Sequence, residues 1–318
     1  MSRWGGSGGW RVAMMIAAAV LRVTAAGAQP QPRTPTRHDV VVEGHHLAVW
    51  QRVRPANAPP VAKILLVHGR TWSSLPNFDL HVPGEERSFM DALGGAGLDV
   101  FAVDLRGYGA TPRDTTGFLT PDRAVADVAG VVSWMQQDPR RPGKVYVLGL
   151  SRGAMIAAML AQKYPEKLAG IVLLGFGFDP DVRAAPSEPL TRPARLRNTA
   201  DAAASDFATP DAYSSATLTT FVQAALRSDP ILMDWRDESQ FNAFSPARLQ
   251  VPVLLVQGER DTQTPIAIGA KLFARFATPD KWWIILPGAD HAAHLEKSAA
   301  ELARTVVWFT QRHETGRL

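Results

Sequence analysis

The sequence predicts an α/β protein whose sheet is mostly parallel and covered by helices on both faces. Two observations lead to this fold class. Short apolar runs typical of buried strands alternate along the chain with longer segments of helical spacing. The chain has 318 residues, of which 46% are hydrophobic and 20% charged, so it can bury a large core. In such sheets ligands bind at the carboxyl ends of the strands, so residues just after each strand are the functional candidates.

Each element follows from a local pattern. The first two predicted strands form a hairpin around Gly44. The strongest helical spacing places Val125, Val128 and Val132 on one face, and Pro165 ends the helix that follows the fifth strand. The predicted strands are 40–43, 47–53, 62–67, 99–103, 144–150, 169–174, 251–256 and 282–286. The predicted helices are 85–93, 122–137, 152–164, 266–276 and 294–312.

The alternation of strands and helices divides the chain into a core and an insertion. The core is predicted to comprise residues 38–175 and 249–313, after a proline-rich linker at 29–37. Residues 176–248 contain no long apolar strand, many Asp and Arg, and several prolines. They are too many for a plain loop, so we expect a helical cap inserted over the sheet.

The first 28 residues have the layout of a secretory signal peptide. Arg3 and Arg11 precede an apolar run of ten residues, 12–21, and the small-x-small sequence Ala26-Gly27-Ala28 follows. This pattern predicts cleavage after Ala28 and export to the periplasm or the medium. A disordered extension and an uncleaved membrane anchor are the alternatives. The run is too short to span a bilayer and no second one follows, so we expect no stable membrane insertion after cleavage.

Composition excludes several classes of protein. The absence of cysteine rules out disulfide scaffolds, thiolate metal sites and a cysteine nucleophile. The net charge of +4 comes from 34 basic and 30 acidic residues. Three of those basic residues and none of the acidic ones lie in residues 1–28, so the remainder is nearly neutral, at 31 against 30. No basic stripe interleaved with aromatic residues is present, so a nucleic-acid partner is not expected.

The sequence Gly149-Leu150-Ser151-Arg152-Gly153 is the strongest catalytic motif. A serine on a sharp strand-to-helix turn needs small neighbours, because adjacent backbone segments approach closely there. A second match to G-x-S-x-G at residues 5–9 has no strand before it and lies in the predicted signal peptide. Context therefore favours Ser151 as the nucleophile.

Acyl transfer also needs oxyanion donors, an acid and a base. Candidates for these roles follow strands that lie before and after Ser151 in the chain. His68-Gly69-Arg70 directly follows the strand at 62–67, so the backbone N–H groups of Arg70 and Arg152 are the predicted oxyanion donors. Asp261 and His291 each come just past a late strand. The chain order Ser151, Asp261, His291 is one known order of nucleophile, acid and base.

Other residues compete for these roles. Asp179 and Asp181 follow the strand at 169–174 and are alternatives to Asp261 as the acid. Asp290 adjoins His291 and is predicted to be structural or solvated. The pair His291 and His294 has metal-ligand spacing, but no further ligand pattern surrounds it. Capping or packing is therefore the favoured role of His294, and no metal site is predicted.

These motifs together resemble the α/β-hydrolase superfamily over residues 40–312. The matching stretches are LLVHGR, VFAVDLRGYGAT, VYVLGLSRGA, LLVQGERDTQTP and LPGADHAAH. The resemblance implies an eight-stranded sheet, a cap inserted after the sixth strand, and a hydrolase that needs no cofactor. It also implies that the D-x-R-G-x-G turn at residues 104–109 is mainly structural.

The departures from that resemblance concern specificity. Position 151 is Ser, whereas dehalogenases and epoxide hydrolases of this fold use Asp there, so those activities are not expected. The arginine side chains at 70 and 152 are unusual. They either reach a substrate carboxylate or pair with nearby Asp or Glu, and pairing is favoured. The apolar candidates for a substrate pocket, which alternatively serve as core and lid packing, are Trp72, Phe176, Phe178 and Trp235.

The leading functional hypothesis is an exported serine hydrolase that cleaves small-molecule carboxylic esters through an acyl-enzyme. An amidase, a peptidase or a carbon–carbon bond hydrolase would share the same triad. A non-catalytic binder on a hydrolase scaffold is the alternative from another class. The sequence predicts neither the oligomeric state nor the natural substrate.

Overall fold

The structure is a computed structural model, and it describes residues 34–52, 62–138, 143–186 and 195–314. The predicted signal peptide, residues 1–28, lies outside the described residues. The predicted linker, residues 29–37, lies mostly outside them too. Its last two residues belong to the first strand, which begins at Thr36, so this strand begins before the predicted core boundary at residue 38.

Eight strands form the main sheet, in the order β1-β2-β4-β3-β6-β7-β9-β10. The strands at the β1 edge pair antiparallel, β1 with β2 and β2 with β4, and the other pairs are parallel. The predicted mostly parallel sheet is thus confirmed. The strands are β1 (Thr36–Val42), β2 (His45–Arg52), β3 (Lys63–Val67), β4 (Asp99–Val103), β5 (Phe118–Leu119), β6 (Val145–Leu150), β7 (Leu168–Leu174), β8 (Asp234–Trp235), β9 (Val253–Gly258) and β10 (Lys281–Leu286).

Helices cover both faces of this sheet. The helices are α1 (Ser74–Phe78), α2 (Phe89–Gly95), α3 (Pro121–Gln136), α4 (Arg152–Lys163), α5 (Ala200–Ala204), α6 (Ser215–Ser228), α7 (Ile266–Arg275) and α8 (Ala299–Glu314). Short 3₁₀ turns occur at Pro165–Lys167, Glu238–Ala243 and Pro246–Arg248. Among the described residues, no helix is both long and apolar enough to cross a membrane.

Alternation along each strand divides the core between the two faces. On β3, Leu65 and Val67 belong to the apolar cluster that includes residues of α3, α4 and α7, whereas Ile64 and Leu66 belong to the cluster that includes residues of α2 and α8. All four side chains are fully buried. Burial of each such side chain stabilises the fold by roughly 1.5–3 kcal/mol relative to exposure, so the near-continuous apolar runs specify strands inside the sheet.

Capping decides where two helices begin. The predicted helix at 85–93 begins only at Phe89, because the Ser88 hydroxyl accepts a hydrogen bond from Asp91 N at 3.0 Å and caps it. The predicted helix at 294–312 begins at Ala299 instead. The preceding residues form turns instead, and there the Glu296 carboxyl accepts a hydrogen bond from the Asp290 backbone N–H at 2.9 Å.

The insertion at residues 176–248 supplies a third apolar cluster. Phe207 and Phe221 from this segment pack against Trp72, Leu80 and Val82 of the chain that follows β3. The short strand β8 pairs in parallel with β5, which precedes α3. The sequence pattern predicted neither of these two-residue strands, nor α1, because elements this short carry no periodicity.

Candidate active site

Ser151 lies on the sharp turn between β6 and α4. Its φ of 53° and ψ of −113° are strained for a residue with a side chain. A Cβ atom on Gly149 would overlap the Gly153 carbonyl oxygen, and one on Gly153 would overlap the Val67 carbonyl oxygen. Only glycine fits at both positions, so the motif permits the turn that presents Ser151 at the carboxyl end of the sheet.

Asp261 and His291 meet at the ends of β9 and β10. The Asp261 Oδ2 atom lies 2.8 Å from Nδ1 of His291. The other oxygen, Oδ1, accepts backbone N–H bonds from Gln263 at 2.8 Å and Thr264 at 3.0 Å, and the Thr264 hydroxyl donates to Oδ2 at 2.5 Å. These bonds fix the carboxylate, so it can hold one orientation and one tautomer of the imidazole.

The two groups shift each other's ionisation. Burial alone raises the pKa of Asp261, but the hydrogen bond and charge of His291, together with the Thr264 donors, outweigh burial and bring that pKa below its usual value. Burial lowers the pKa of His291, but its bond to Asp261 and the surrounding carboxylates outweigh burial and raise that pKa. The pair therefore favours the charged imidazolium, the form a general base reaches after it accepts a proton.

A cavity of about 290 Å³ brings the predicted residues together. Ser151 and His291 both line it, as do the two predicted oxyanion residues. Arg152 is the first residue of α4, where a backbone N–H has no partner within the helix. The residues that line the cavity are Gly69, Arg70, Thr71, Trp72, Asn77, Leu150, Ser151, Arg152, Asp206, Gln263 and His291.

Buried polar contacts hold the turn that carries Arg70. Tyr108 donates its hydroxyl proton to the Arg70 carbonyl oxygen and accepts a 2.7 Å bond from the Trp235 indole N–H. His68 accepts the Leu105 backbone N–H through Nε2 at 3.1 Å, and burial lowers the pKa of this histidine. Each contact uses a group that would otherwise be buried without a partner, so the turn is fixed from two sides.

The predicted structural role of the 104–109 turn agrees with its contacts. Asp104 accepts hydrogen bonds from the backbone N–H groups of Ser74 at 2.9 Å and Ala110 at 3.0 Å. Arg106 binds Asp127 through two bonds of 2.7 and 2.8 Å. None of these residues lines the cavity.

The side chains of Arg70 and Arg152 pair with the same carboxylate. Glu238 Oε1 lies 3.3 Å from Arg70 Nη2, and Glu238 Oε2 lies 3.1 Å from Arg152 Nη1. The Arg152 guanidinium also stacks over the rings of Trp235 and Phe241. Burial lowers the pKa of Arg152, Glu238 acts against that shift, and the positive charge of Arg70 adds to it.

The competing candidates lie elsewhere. Asp179 and Asp181 form ion pairs with Lys271 and do not contact His291. Asp290 accepts the His291 backbone N–H at 2.7 Å and the Thr209 hydroxyl at 2.8 Å, which is a structural role. His294 is buried against the Phe78 ring, and burial lowers its pKa to about 3, so it remains neutral and packs in the core.

Of the predicted pocket residues, only Trp72 lines the cavity. Phe176 and its companion Phe178 do not line this cavity, and both rings pack with Phe244. Trp235 does not line it either, and its indole contacts the Tyr108 hydroxyl and the Arg152 guanidinium. Polar residues therefore make up most of the lining of this cavity.

Two acidic residues of the insertion act at the cavity although no sequence motif marks them. Asp206 lines the cavity, where burial raises its pKa while His291, Trp72 and Gln263 act to lower it. Glu238 forms ion pairs with Arg70 and Arg152, which both line the cavity. Neither follows a long strand, so only the tertiary packing brings them to the residues that line the cavity.

One cluster of described residues has the ligand types of a metal site. Asp79, His81 and Asp91 place ligand atoms within 4.8 Å of one another. The Arg52 guanidinium already pairs with Asp79 and lies 2.9 Å from Asp91. A cation therefore already balances these carboxylates, and the residues do not fit a bound metal ion.

The strained serine turn, the late Asp–His pair and the eight-stranded sheet define an α/β-hydrolase. Residues 58–298 match the family model described as serine aminopeptidase, S33, and the chain belongs to that family. The biotin biosynthesis bifunctional protein BioHC of Teredinibacter turnerae is 24% identical over 291 residues. That match covers 77% of this chain and 44% of BioHC, so the chain spans less than half of that relative.

Solved structures show the same fold at low sequence identity. The serine hydrolase CarC, involved in carbazole degradation, is 18% identical with a TM-score of 0.60 and covers 86% of this chain and 98% of its own. A thermophilic esterase from Thermogutta terrifontis is 19% identical with a TM-score of 0.59, covering 88% of this chain and 99% of its own. At these identities the likeness establishes the fold alone.

Proposed function

We propose that this hydrolase is a serine esterase that cleaves small-molecule carboxylic esters through an acyl-enzyme formed on Ser151. The observation that carries the proposal is the 2.8 Å contact between Asp261 and His291. This contact orients the His291 imidazole. His291 lines the same cavity as Ser151, whose backbone is strained. That combination is the requirement for activating a hydroxyl nucleophile.

In the first half of this reaction His291 accepts the Ser151 hydroxyl proton while the oxygen attacks the ester carbonyl. The backbone N–H groups of Arg70 and Arg152 donate to the oxyanion that forms, a contribution worth about 2.7–4 kcal/mol per donor in related chemistry. Asp261 stabilises the imidazolium. The tetrahedral intermediate then collapses, and the leaving alcohol takes the proton from His291.

In the second half a water molecule repeats these steps on the acyl-enzyme. His291 accepts the water proton as the oxygen attacks, and the same two N–H groups hold the second oxyanion. Collapse releases the carboxylic acid and returns the proton to Ser151. Neither half requires a metal ion or an organic cofactor.

We further propose that the enzyme is exported to the periplasm or the medium after cleavage behind Ala28. The support is the sequence of residues 1–28, which combines basic residues, a short apolar run and a small-x-small site. Expression of the full chain in a bacterium tests this. The mature protein should begin at Gln29 and be recovered outside the cytoplasm.

Labelling with a fluorophosphonate tests the serine itself. The parental protein should incorporate the probe at Ser151 and release p-nitrophenol from p-nitrophenyl acetate. Ser151→Ala should lose both signals while its melting temperature stays near the parental value, because only one oxygen atom is removed and the Ser151 side chain does not cap α4. Parental turnover in Ser151→Ala would rule out the assignment.

A panel of substrates separates esters from the other bonds such a triad can cleave. An ester and the p-nitroanilide of the same acyl group should be compared on one enzyme preparation. We expect the ester to be cleaved and the anilide to be cleaved far more slowly. Preferential cleavage of the anilide, particularly one with a free amino group, would instead indicate an amidase or peptidase.

A further inference from the structure

The side chains of the two predicted oxyanion residues give one wall of the cavity more positive than negative groups. Arg70 and Arg152 share the single carboxylate of Glu238, at 3.3 and 3.1 Å. The charged groups that act on Arg152 are Glu238 and Arg70. Within the described part of the chain, this wall therefore has two guanidinium groups against one carboxylate.

The two arginines are held very differently. The Arg152 side chain is only 13% exposed and is fixed by stacking on Trp235 and Phe241. The Arg70 side chain is 53% exposed, and its one ion-pair contact is the longer of the two. A guanidinium has five N–H donors in a fixed fork, so Arg70, which lines the cavity and is half exposed, has donors beyond the one at Glu238 that can bind a ligand.

We propose that Arg70 is a specificity-determining residue that binds an ionised carboxylate of the substrate, so that the preferred esters carry a second, free carboxyl group. The inference rests on the proposed esterase function. Planar guanidinium and carboxylate groups pair through two parallel hydrogen bonds, which an arginine held by one contact can form by turning from Glu238. Arg152 stays paired with Glu238 and continues to neutralise the charge of its carboxylate.

Asp206 is the competing charge in the cavity. The groups that act on its carboxyl are His291, Trp72 and Gln263, not the two arginines. Its position therefore favours the triad side of the cavity over the arginine wall. If Asp206 rather than Arg70 determined specificity, the preferred substrates would carry a positive charge, and the experiment includes that outcome.

The test compares esters that differ only in charge. The p-nitrophenyl monoester of adipic acid, its terminal amide, and p-nitrophenyl 5-(trimethylammonio)pentanoate place an anion, a neutral group and a cation on the acyl portion. The pair 4-carboxyphenyl acetate and 4-carbamoylphenyl acetate places the anion or the neutral group on the alcohol portion. We expect kcat/KM to be about tenfold higher for the anion than for its neutral partner in at least one series, mainly through KM.

Two variants should move that preference in opposite directions. Arg70→Met should bring the anion-to-neutral ratio of kcat/KM close to one, because the donor fork is lost. Glu238→Gln should raise the ratio above the parental value, because the carboxylate that competes for Arg70 becomes neutral. The matched control is Arg248→Met. Arg248 is exposed and precedes β9, at the edge of the sheet opposite the cavity, so its removal lowers the net charge without changing the ratio.

The outcomes separate this inference from the proposed function. Equal rates for anionic and neutral esters, with Ser151 still labelled, would overturn the carboxylate preference and leave the esterase proposal standing. A preference for the cationic ester would also overturn it and assign specificity to Asp206. Absence of both hydrolysis and labelling would remove the esterase proposal and this inference with it.

Discussion

The Oδ2 atom of Asp261 lies 2.8 Å from Nδ1 of His291, and 30 residues of chain separate the two. Parallel β9 and β10 bring them together, since both residues follow neighbouring strands at the same edge of the sheet. The contact raises the pKa of His291 and lowers that of Asp261. The first prediction follows from these two shifts.

The pH dependence of hydrolysis should report the raised pKa of His291. A general base must be neutral, so kcat/KM should fall as the pH drops through that pKa. Because the pKa is raised from its ordinary value of 6.5, the midpoint of the acid limb should lie above pH 6.5. An initial-rate profile with a neutral ester measures it, and a midpoint below 6.5 would contradict the described pair.

Replacement of Asp261 should both slow the enzyme and shift that profile. Asp261→Asn removes the charge that stabilises the imidazolium, so kcat should fall by roughly 10²–10⁴-fold and the acid limb should move to lower pH. Asp179→Asn is the matched control, because Asp179 pairs with Lys271 away from the cavity. Its kinetics should stay near parental. A larger loss in Asp179→Asn than in Asp261→Asn would reassign the acid.

Asp206 should tune His291 from the side of the insertion. The negative charge of Asp206 contributes to the raised pKa of His291, although less than Asp261 does. Asp206→Asn should therefore move the acid limb to lower pH by a smaller amount. Asp211→Asn, a change at an exposed residue of the same insertion that pairs with Arg260, should leave the limb in place. An unchanged profile in Asp206→Asn would show that its charge does not act on His291.

Stability should depend on Asp229, which joins the insertion to the core. Its buried carboxylate accepts the backbone N–H groups of Ser73 and Gly109, each at 2.8 Å. Asp229→Ala leaves two buried donors without partners, so the free energy of unfolding should fall by about 2–4 kcal/mol. Urea denaturation measures this. Asp39→Ala, which breaks only an exposed contact with His46, should change stability by less than about 1 kcal/mol.

Gly153, the second glycine of the G-x-S-x-G motif, should tolerate no side chain. A Cβ atom on Gly153 would overlap backbone carbonyl oxygens of β3 and His68, which cannot move without distorting the sheet. Gly153→Ala should lower the free energy of unfolding by more than about 3 kcal/mol or prevent folding. Gly95→Ala is the control, since a Cβ there meets no atom within 4 Å. It should be neutral or stabilising by up to about 1 kcal/mol. Equal stabilities for the two variants would contradict the close packing of this turn.

Much of the fold and of the candidate site could be predicted because the signals are local and strong. The buried strands are short apolar runs, and Ser151, Asp261 and His291 each follow one of them. Their order along the chain then limits which roles they can take. The short elements α1, β5 and β8 carry no periodic pattern, and the start of α8 depends on packing.

The pocket could not be predicted for a different reason. Aromatic residues are equally suited to a binding surface and to a core, so the sequence could not distinguish Trp72, which lines the cavity, from Phe176 and Trp235, which do not. Asp206 and Glu238 lie in a segment without repeating pattern. Nothing in their position along the chain indicates that Asp206 lines the cavity or that Glu238 pairs with two of its arginines.

The sequence by itself determined the parallel sheet, the serine turn and the candidates for nucleophile, acid and base. Hydrophobic patterning and steric limits on backbone turns act over a few residues, so they can be read along the chain. The tertiary structure decided which carboxylates lie at the cavity and which of the two arginines is the more exposed. These depend on how residues 176–248 pack on the sheet, and charge and burial at a point in space are properties of the packed chain rather than of any one segment.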